Sequence, residues 1–178
     1  MDTLGLYALA SEWTLGKVSA AAVDLDAPTP CDGWDVRTLM NHMLETQQYF
    51  VGSAQGLKVA PPGQEPPEII GDDPVTDFLD ARSQVLRTFG NGAAEHGAAA
   101  LGIAFADQLL HGWDLARASH QDDTMPDGLA EAAYETIHGR FTDEQRKGVF
   151  GPEIPVDDDA PAQARLLAYS GRDPASPD

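Results

Sequence analysis

Residues 98–119 form a strongly apolar segment that also carries a regular row of polar side chains. Its large apolar residues fall on every side of a helix: Ile103, Phe105, Leu109, Leu110, Trp113 and Leu115. This distribution predicts a central helix that is buried all round. Asp107 and His111 are four residues apart and Asp114 follows three later, so the three share one helix face. Because buried polar groups must be paired or bind something, this row constrains both fold and function.

Helical patterns lie on both sides of this segment, and no run of alternating strands is visible. The spacing predicts further helices over residues 3–23, 35–55, 74–89 and 127–140, with a short helix over 161–169. The proline-rich stretch 57–74 is predicted to be a long loop, and Gly90-Asn91-Gly92 ends the third helix. These elements predict an all-α fold, a four-helix bundle of the antiparallel type with a short C-terminal extension.

The predicted helices are amphipathic, which indicates the face that each one buries. The first helix is expected to bury Leu6, Leu9, Trp13, Leu15 or Gly16, and Ala20. The second is expected to bury Val36, Leu39, Met43, and Tyr49 or Phe50. Asp32 or Asp35 is placed to cap the second helix. We expect one domain over residues 1–178, with the bundle over about 1–142 and the tail over 143–178.

The charge balance narrows the partners that such a chain can have. The 178 residues include 11 Lys and Arg against 29 Asp and Glu, a formal net charge of −18. Binding to nucleic acid or to an anionic membrane needs clustered basic residues, so neither is expected. No signal peptide is evident, and the single cysteine, Cys31, makes no internal disulfide, which favours the cytoplasm. A small-molecule substrate is expected, with the protein a monomer or homodimer.

A possible metal site involves the second and fourth helices. His42 lies beside the apolar stripe of the second helix, and facing helices of a bundle can bring it near Asp107 and His111. Two imidazoles and one carboxylate suit zinc with an open position, or a non-haem Fe(II) centre. The alternative is a hydrogen-bonded His–Asp pair within the core, since this spacing is common on helices and His42 is distant in sequence.

Other chemically active side chains have simpler interpretations. Cys31 precedes a helix start, where a thiolate could be stabilised, but a small apolar side chain under the loop is the favoured interpretation. Asp114 and Arg117 are spaced to form an ion pair. His96, His120 and His138 fall near helix ends or exposed faces, where capping or solvation is expected.

Two motifs together resemble a known family. Residues 29–39, TPCDGWDVRTL, followed by Asn41-His42, resemble the TPC-x-GW-x-VR-x-L-x-x-H signature of mycothiol-dependent maleylpyruvate isomerase-type proteins. Residues 107–118, DQLLHGWDLARA, resemble the family's second signature, HGWDLARA. The tail, with Gly171-Arg172-Asp173-Pro174, resembles the GRDP ending of one subgroup. These proteins belong to the DinB/YfiT-like superfamily of metal-binding four-helix bundles.

The resemblance implies a DinB-like bundle with His42, Asp107 and His111 as ligands of a divalent metal. Zinc is expected first, with nickel, iron or manganese as alternatives. The isomerase has Glu where this chain has Asp107, and Asp is one methylene shorter. The resemblance further implies mycothiol as a thiol cosubstrate of a transferase or isomerase, with Asp114 in a supporting role. It assigns no other catalytic or cofactor-binding residue.

The chain also departs from the family pattern, which keeps a second function open. Only residues 90–101 separate the third and fourth helices, where relatives usually have a longer segment, and the isomerase's separate C-terminal domain is not expected here. A reshaped pocket favours the alternative of a biosynthetic accessory or ligand-binding protein without thiol transfer. A third alternative is that the polar row is a hydrogen-bonded core cluster.

Overall fold

The computed structural model describes residues 1–175 apart from the side chains at 93–96 and 98, and this part of the chain is helical without a β-strand. The α-helices in it, numbered in chain order, are α1 (Thr3–Ala21), α2 (Val36–Ala54), α3 (Pro74–Thr88), α4 (Ala94–Ala118), α5 (Leu129–Ile137), α6 (Asp143–Arg146) and α7 (Ala162–Tyr169). A π-helical turn, Phe89–Ala93, joins α3 to α4. The prediction of an all-α fold is confirmed.

The four long helices form the bundle. Helices α1 and α2 each pack against both α3 and α4, which closes a ring of four. The smaller helices extend it, because α5 packs on α4 and α7 packs on α5. None of the helices within residues 1–175 combines the length and the hydropathy needed to span a membrane.

The predicted helix boundaries agree closely for α1, α2, α3 and α7. Asp35 is the N-cap of α2, and its side chain accepts from the Thr38 amide at 2.8 Å. Helix α4 begins earlier than predicted, because the glycine-rich break is confined to the π-helical turn, where Gly92 has a φ of 95°. Helix α6 was not predicted; its Thr142–Gln145 capping box stabilises only four residues. The side chain of His96 lies outside the described residues.

The predicted buried face is confirmed for α2 and only in part for α1. Val36, Leu39 and Met43 of α2 are fully buried. In α1, Leu6, Trp13 and Leu15 are partly buried against the core, whereas Leu9 is 47% exposed and Ala20 is also exposed. The fully buried residues of α1 are Tyr7, Ala10, Ser11, Thr14, Val18 and Ala21. Hydroxyl groups on this face are satisfied across the bundle, and so they are buried at little cost.

Close packing of α1 against α4 explains this choice of face. Gly112 of α4 lies directly opposite α1, and a Cβ atom there would come within 2.6 Å of Thr14 Oγ1. The same hydroxyl donates to the Gln108 carbonyl at 2.8 Å, and Tyr7 donates to Gln47 at 3.0 Å. Small and hydroxyl-bearing side chains at this contact therefore allow α1 to approach α4 closely. A side chain as large as leucine at these positions would prevent that approach.

The chain after α7 turns back towards α4. Gly171 has a φ of 83°, and a Cβ atom there would lie 2.5 Å from Gly151 Cα, so only glycine fits. The Gly151 amide donates to the Ser170 carbonyl at 3.1 Å. These contacts hold the end of α7 against the preceding loop, and so direct Arg172 towards the bundle interior.

Candidate metal centre

Three side chains from two packed helices meet inside the bundle. His42 of α2 and Asp107 and His111 of α4 each offer a ligand atom, and these atoms lie within 4.8 Å of one another. The two imidazole rings meet edge to face with centroids 5.0 Å apart, and the Trp34 ring lies 4.8 Å from His42. The three residues proposed from the sequence as metal ligands are therefore neighbours in the fold.

His111 is oriented by a carboxylate behind it. Its Nδ1 lies 2.9 Å from Asp114 Oδ2. Burial alone would raise the pKa of Asp114, but the charge and hydrogen bonds of Arg172 and the hydrogen bond of His111 hold that pKa well below its usual range. An ionised carboxylate can only accept, so His111 donates from Nδ1 to Asp114, and its Nε2 lies on the side of the ring where Asp107 is found.

Asp114 is itself held by a two-pronged arginine contact. Arg172 donates from Nε to Oδ1 at 2.8 Å and from Nη2 to Oδ2 at 2.6 Å. Asp114 is fully buried and the Arg172 side chain is 13% exposed. The two charges compensate each other in the core, and together they fix the position of His111.

Asp107 has a different environment on the other side of His111. Its Oδ1 lies 3.5 Å from His111 Nε2, and its Oδ2 is buried without a hydrogen-bond partner among the described residues. Burial raises the pKa of Asp107, and nearby His111 and Arg172 offset only part of that effect. This carboxylate therefore lacks the compensation that Asp114 has.

His42 also presents an unused nitrogen. Its Nδ1 is buried and has no hydrogen-bond partner among the described residues, whereas its Nε2 lies 3.4 Å from Thr46 Oγ1. Burial, followed by the effects of His111 and Arg172, lowers the pKa of His42 to about 3. The ring is therefore neutral at physiological pH, the state in which imidazole binds metals.

The site lies between two cavities. One, of about 420 Å³, is lined by all three of His42, Asp107 and His111. The other, of about 530 Å³, is lined by His42 and His111 together with Cys31 and Arg172. Small molecules entering from either cavity would reach the two imidazoles.

Two sequence-based interpretations change at this site. Cys31 is partly buried and its Sγ donates to Asp114 at 3.2 Å; burial, followed by the Asp114 charge, raises the pKa of the thiol. The favoured interpretation of Cys31, a small apolar side chain under the loop, therefore holds only in part: the residue packs against the core, but its thiol also donates to a buried carboxylate. The predicted Asp114–Arg117 ion pair is wrong: within the described residues, Arg172 pairs with Asp114, and Arg117 reaches Asp123 at 3.3 Å.

Arg172 was not recognised as a site residue from the sequence. Its Gly-Arg-Asp-Pro context indicates only that the tail resembles that of one subgroup. No spacing rule connects residue 172 with residue 114, because their proximity depends on how the loop before α7 packs against Gly171. Trp34 was missed for a similar reason, although it stands within the first quoted motif.

Comparisons with known proteins agree with this architecture. A family model described as the mycothiol maleylpyruvate isomerase N-terminal domain matches residues 9–123. Two relatives, each named an uncharacterized protein of Mycobacterium tuberculosis, come from strains CDC 1551 / Oshkosh and ATCC 25618 / H37Rv. Each is 26% identical over 182 residues, covering 97% of this chain and 98% of the relative. No solved structure gives a significant match.

Proposed function

Because the chain belongs to the mycothiol maleylpyruvate isomerase N-terminal domain family, we propose that it is a divalent-metal-binding protein, a metal-dependent transferase or isomerase. In this proposal it acts on a small molecule, and mycothiol is the thiol cosubstrate. The observation that carries the proposal is that His42, Asp107 and His111 each bring a ligand atom within 4.8 Å of the other two. Two buried polar atoms of this cluster, His42 Nδ1 and Asp107 Oδ2, also have no hydrogen-bond partner among the described residues.

The donor set fits a divalent metal. Leaving two buried polar atoms unsatisfied costs folding free energy, about 1–3 kcal/mol for each, which a bound cation would recover. Two imidazoles and a carboxylate form the kind of three-ligand set that leaves one position open in catalytic zinc sites. Zinc is proposed first, with nickel, iron and manganese as alternatives that the same ligands accept.

The residues of this chain have separate tasks in the proposal. When bound, the metal supplies Lewis acidity and lowers the pKa of a thiol or water. His42, Asp107 and His111 hold it, and Asp114 keeps the proton of His111 on Nδ1 so that Nε2 faces the site. Asp107 is shorter than the Glu of the isomerase, so its carboxylate reaches less far from α4.

Metal analysis of purified, untagged protein tests the metal site. We expect about one equivalent of metal per chain in the wild type and a loss of at least about tenfold in the affinity of His42→Ala. His120→Ala is the matched control, because His120 is exposed at the end of α4. Full metal content and full mycothiol-dependent activity in His42→Ala would contradict the proposal.

A ligand-binding protein without thiol transfer is the second candidate. The largely apolar cavity beside the three ligands favours it, because such a cavity can hold a small molecule without any reaction. This second candidate function predicts that the protein binds its small-molecule ligand with the same affinity before and after treatment with a chelator. If instead chelator changes neither the melting temperature nor ligand binding, and no metal copurifies, the polar row is a core cluster.

A further inference from the structure

The segment after α7 brings a buried cation to the site from outside the ring of four long helices. Helix α7 packs on α5, and residues 170–173, which we call the clasp, turn from its end back towards α4. The amides of Gly171 and Arg172 donate to the carbonyls of Ala168 and Leu167 at 3.0 and 2.9 Å, and these bonds shape the turn. Detaching the clasp from α4 therefore breaks no contact between the four long helices.

The Arg172 side chain connects the clasp to α4. Its Nε and Nη2 bind both carboxylate oxygens of Asp114, and its Nη1 donates to the Ser170 hydroxyl at 3.1 Å. Asp114 Oδ2, which accepts from Nη2, also accepts from His111 Nδ1 at 2.9 Å. Because a planar guanidinium holds both oxygens, the carboxylate is kept in the orientation that His111 needs. A lysine could not replace this two-pronged contact.

Arg172 also separates the site from the surrounding space. Its side chain lines both cavities beside the imidazoles, and a third cavity of about 930 Å³ between the loop after α1 and the end of α4. Among the described lining residues, Arg172 is the one that all three cavities share. Withdrawing this side chain would admit water to the bond between Asp114 and His111, and water competes for both partners of a hydrogen bond.

We infer that the clasp positions His111 for the metal: docking of Arg172 on Asp114 raises metal affinity, and bound metal in turn holds the clasp on α4. This inference rests on the proposed function, because it concerns the metal site of that proposal. Arg172 is a positioning residue, since it contacts Asp114 and acts through it on His111. By thermodynamic linkage, docking raises metal affinity by the same factor by which metal favours the docked clasp.

Titration of the chelator-treated full chain with cobalt(II) tests the positioning. Imidazole and carboxylate ligands accept cobalt(II) as they accept zinc, and its visible absorption reports on ligand geometry. Arg172→Met and Arg172→Lys both lose the two-pronged contact, so we expect at least about tenfold weaker affinity and an altered spectrum in both. Circular dichroism gives the folded fraction of each variant. If that folded fraction binds cobalt(II) with wild-type affinity and spectrum, Arg172 is only structural and the inference is overturned.

A glycine variant moves the clasp without changing any charge or ligand. In Gly171→Ala the new Cβ atom would lie 2.5 Å from Gly151 Cα, so the turn must shift. We expect cobalt(II) affinity to fall by at least about fivefold. Gly56→Ala is the matched control, because Gly56 has a similar φ of 76° and no atom lies within 4 Å of a Cβ there. Wild-type affinity in folded Gly171→Ala, or an equal loss in Gly56→Ala, would overturn the inference.

Hydrogen exchange tests the reverse effect, that of the metal on the clasp. We expect saturating zinc to slow exchange of the Gly171 and Arg172 amides by at least about fivefold in the wild type. The Leu57 amide, which donates to the Gly52 carbonyl at 2.9 Å at the end of α2, is the control and should exchange at an unchanged rate. Equal exchange of the clasp amides with and without zinc would overturn the inference.

Failure of the clasp inference can be distinguished from failure of the proposed function. If the wild type binds neither cobalt(II) nor zinc, the proposed function fails, and the clasp inference fails with it. If the wild type binds metal and the folded Arg172 and Gly171 variants bind it equally well, the clasp inference alone fails and the metal site stands.

Discussion

Asp107 and Asp114 lie on the same face of α4, on either side of His111, yet their surroundings are opposite. Asp114 accepts hydrogen bonds from Arg172, His111 and Cys31, and its pKa is lowered. Asp107 keeps one oxygen without a partner among the described residues, and its pKa is raised by burial. Two carboxylates that the sequence places in one row therefore differ in their hydrogen-bond partners and in the direction of their pKa shifts.

The difference teaches which feature of a buried charge points to a ligand. Burial alone does not, because Asp114 is the more buried of the two and is fully compensated. In the proposed metal site the missing partner is what distinguishes Asp107, because a bound cation would repay the cost of burying this carboxylate. In that proposal Asp114 positions His111, and Asp107 binds the metal.

The largest effect on stability is expected from breaking the ion pair between Asp114 and Arg172. Asp114→Asn leaves the Arg172 guanidinium buried without its counter-charge, and we expect a loss of about 3–5 kcal/mol in the free energy of unfolding. Urea denaturation of chelator-treated protein measures it. The double variant Asp114→Leu with Arg172→Met should recover much of the loss, since it removes both charges. A loss below about 1 kcal/mol in Asp114→Asn would contradict the structural role of this pair.

The next largest effect is expected from binding of zinc at the proposed site, which includes Asp107. At a free zinc concentration of about 100 times the dissociation constant, we expect the free energy of unfolding to rise by about 2.7 kcal/mol over the chelator-treated protein. Asp107→Asn should shift the zinc concentration needed for half of this effect upward by about tenfold or more. Thermal melts across a zinc titration measure both. The same stabilisation in the His42→Ala, His111→Ala double variant would place the metal elsewhere.

Much of the fold could be predicted from residue patterns, and the predictions that failed have identifiable physical causes. Proline, glycine and Asp35 mark the ends of α2 and α3, so their boundaries were predictable. The buried face of α1 was predictable only in part, because apolar periodicity ignores hydroxyls such as that of Thr14, which are satisfied by another helix. That pairing depends on the approach of α1 to Gly112, which no local pattern encodes.

The candidate site was predictable in the same partial way. The spacing of Asp107 and His111 places them on one face of a helix. His42 was a candidate because it lies beside the apolar stripe of the second helix, and the motif resemblance made it an expected ligand. Spacing alone could not establish that His42 is close to the other two, because the position of α2 against α4 is a property of tertiary packing. Arg172 belongs to the site only through the turn at Gly171, so its partner on α4 could not be inferred from sequence.

A smaller effect is expected from a third carboxylate, Asp35, which is partly exposed and accepts a hydrogen bond from the backbone. Asp35 caps α2, and the Thr38 hydroxyl and amide bonds lower its pKa. Asp35→Ala should cost about 1 kcal/mol of unfolding free energy, measured in urea at neutral pH. Because the folded pKa is lowered, the contribution is present above the unfolded value of about 3.9 and is lost as pH falls through the folded pKa. Asp35→Asn should keep most of the cap and remove this pH dependence, and an unchanged pH profile in that variant would contradict the assignment.

The smallest effect is expected from Asp107→Asn in the metal-free protein. The amide keeps the size of the side chain and removes a buried charge that has no compensating cation of its own, so the free energy of unfolding should change by less than about 0.5 kcal/mol or increase. Urea denaturation in excess chelator measures it beside Asp114→Asn. Equal losses in the two variants would mean that Asp107 is compensated in solution as fully as Asp114, and the contrast between the two sides of His111 would then fail. A near-zero change in the free energy of unfolding, together with the weakened zinc response of the same variant, would show that Asp107 contributes to metal binding and not to the stability of the metal-free fold.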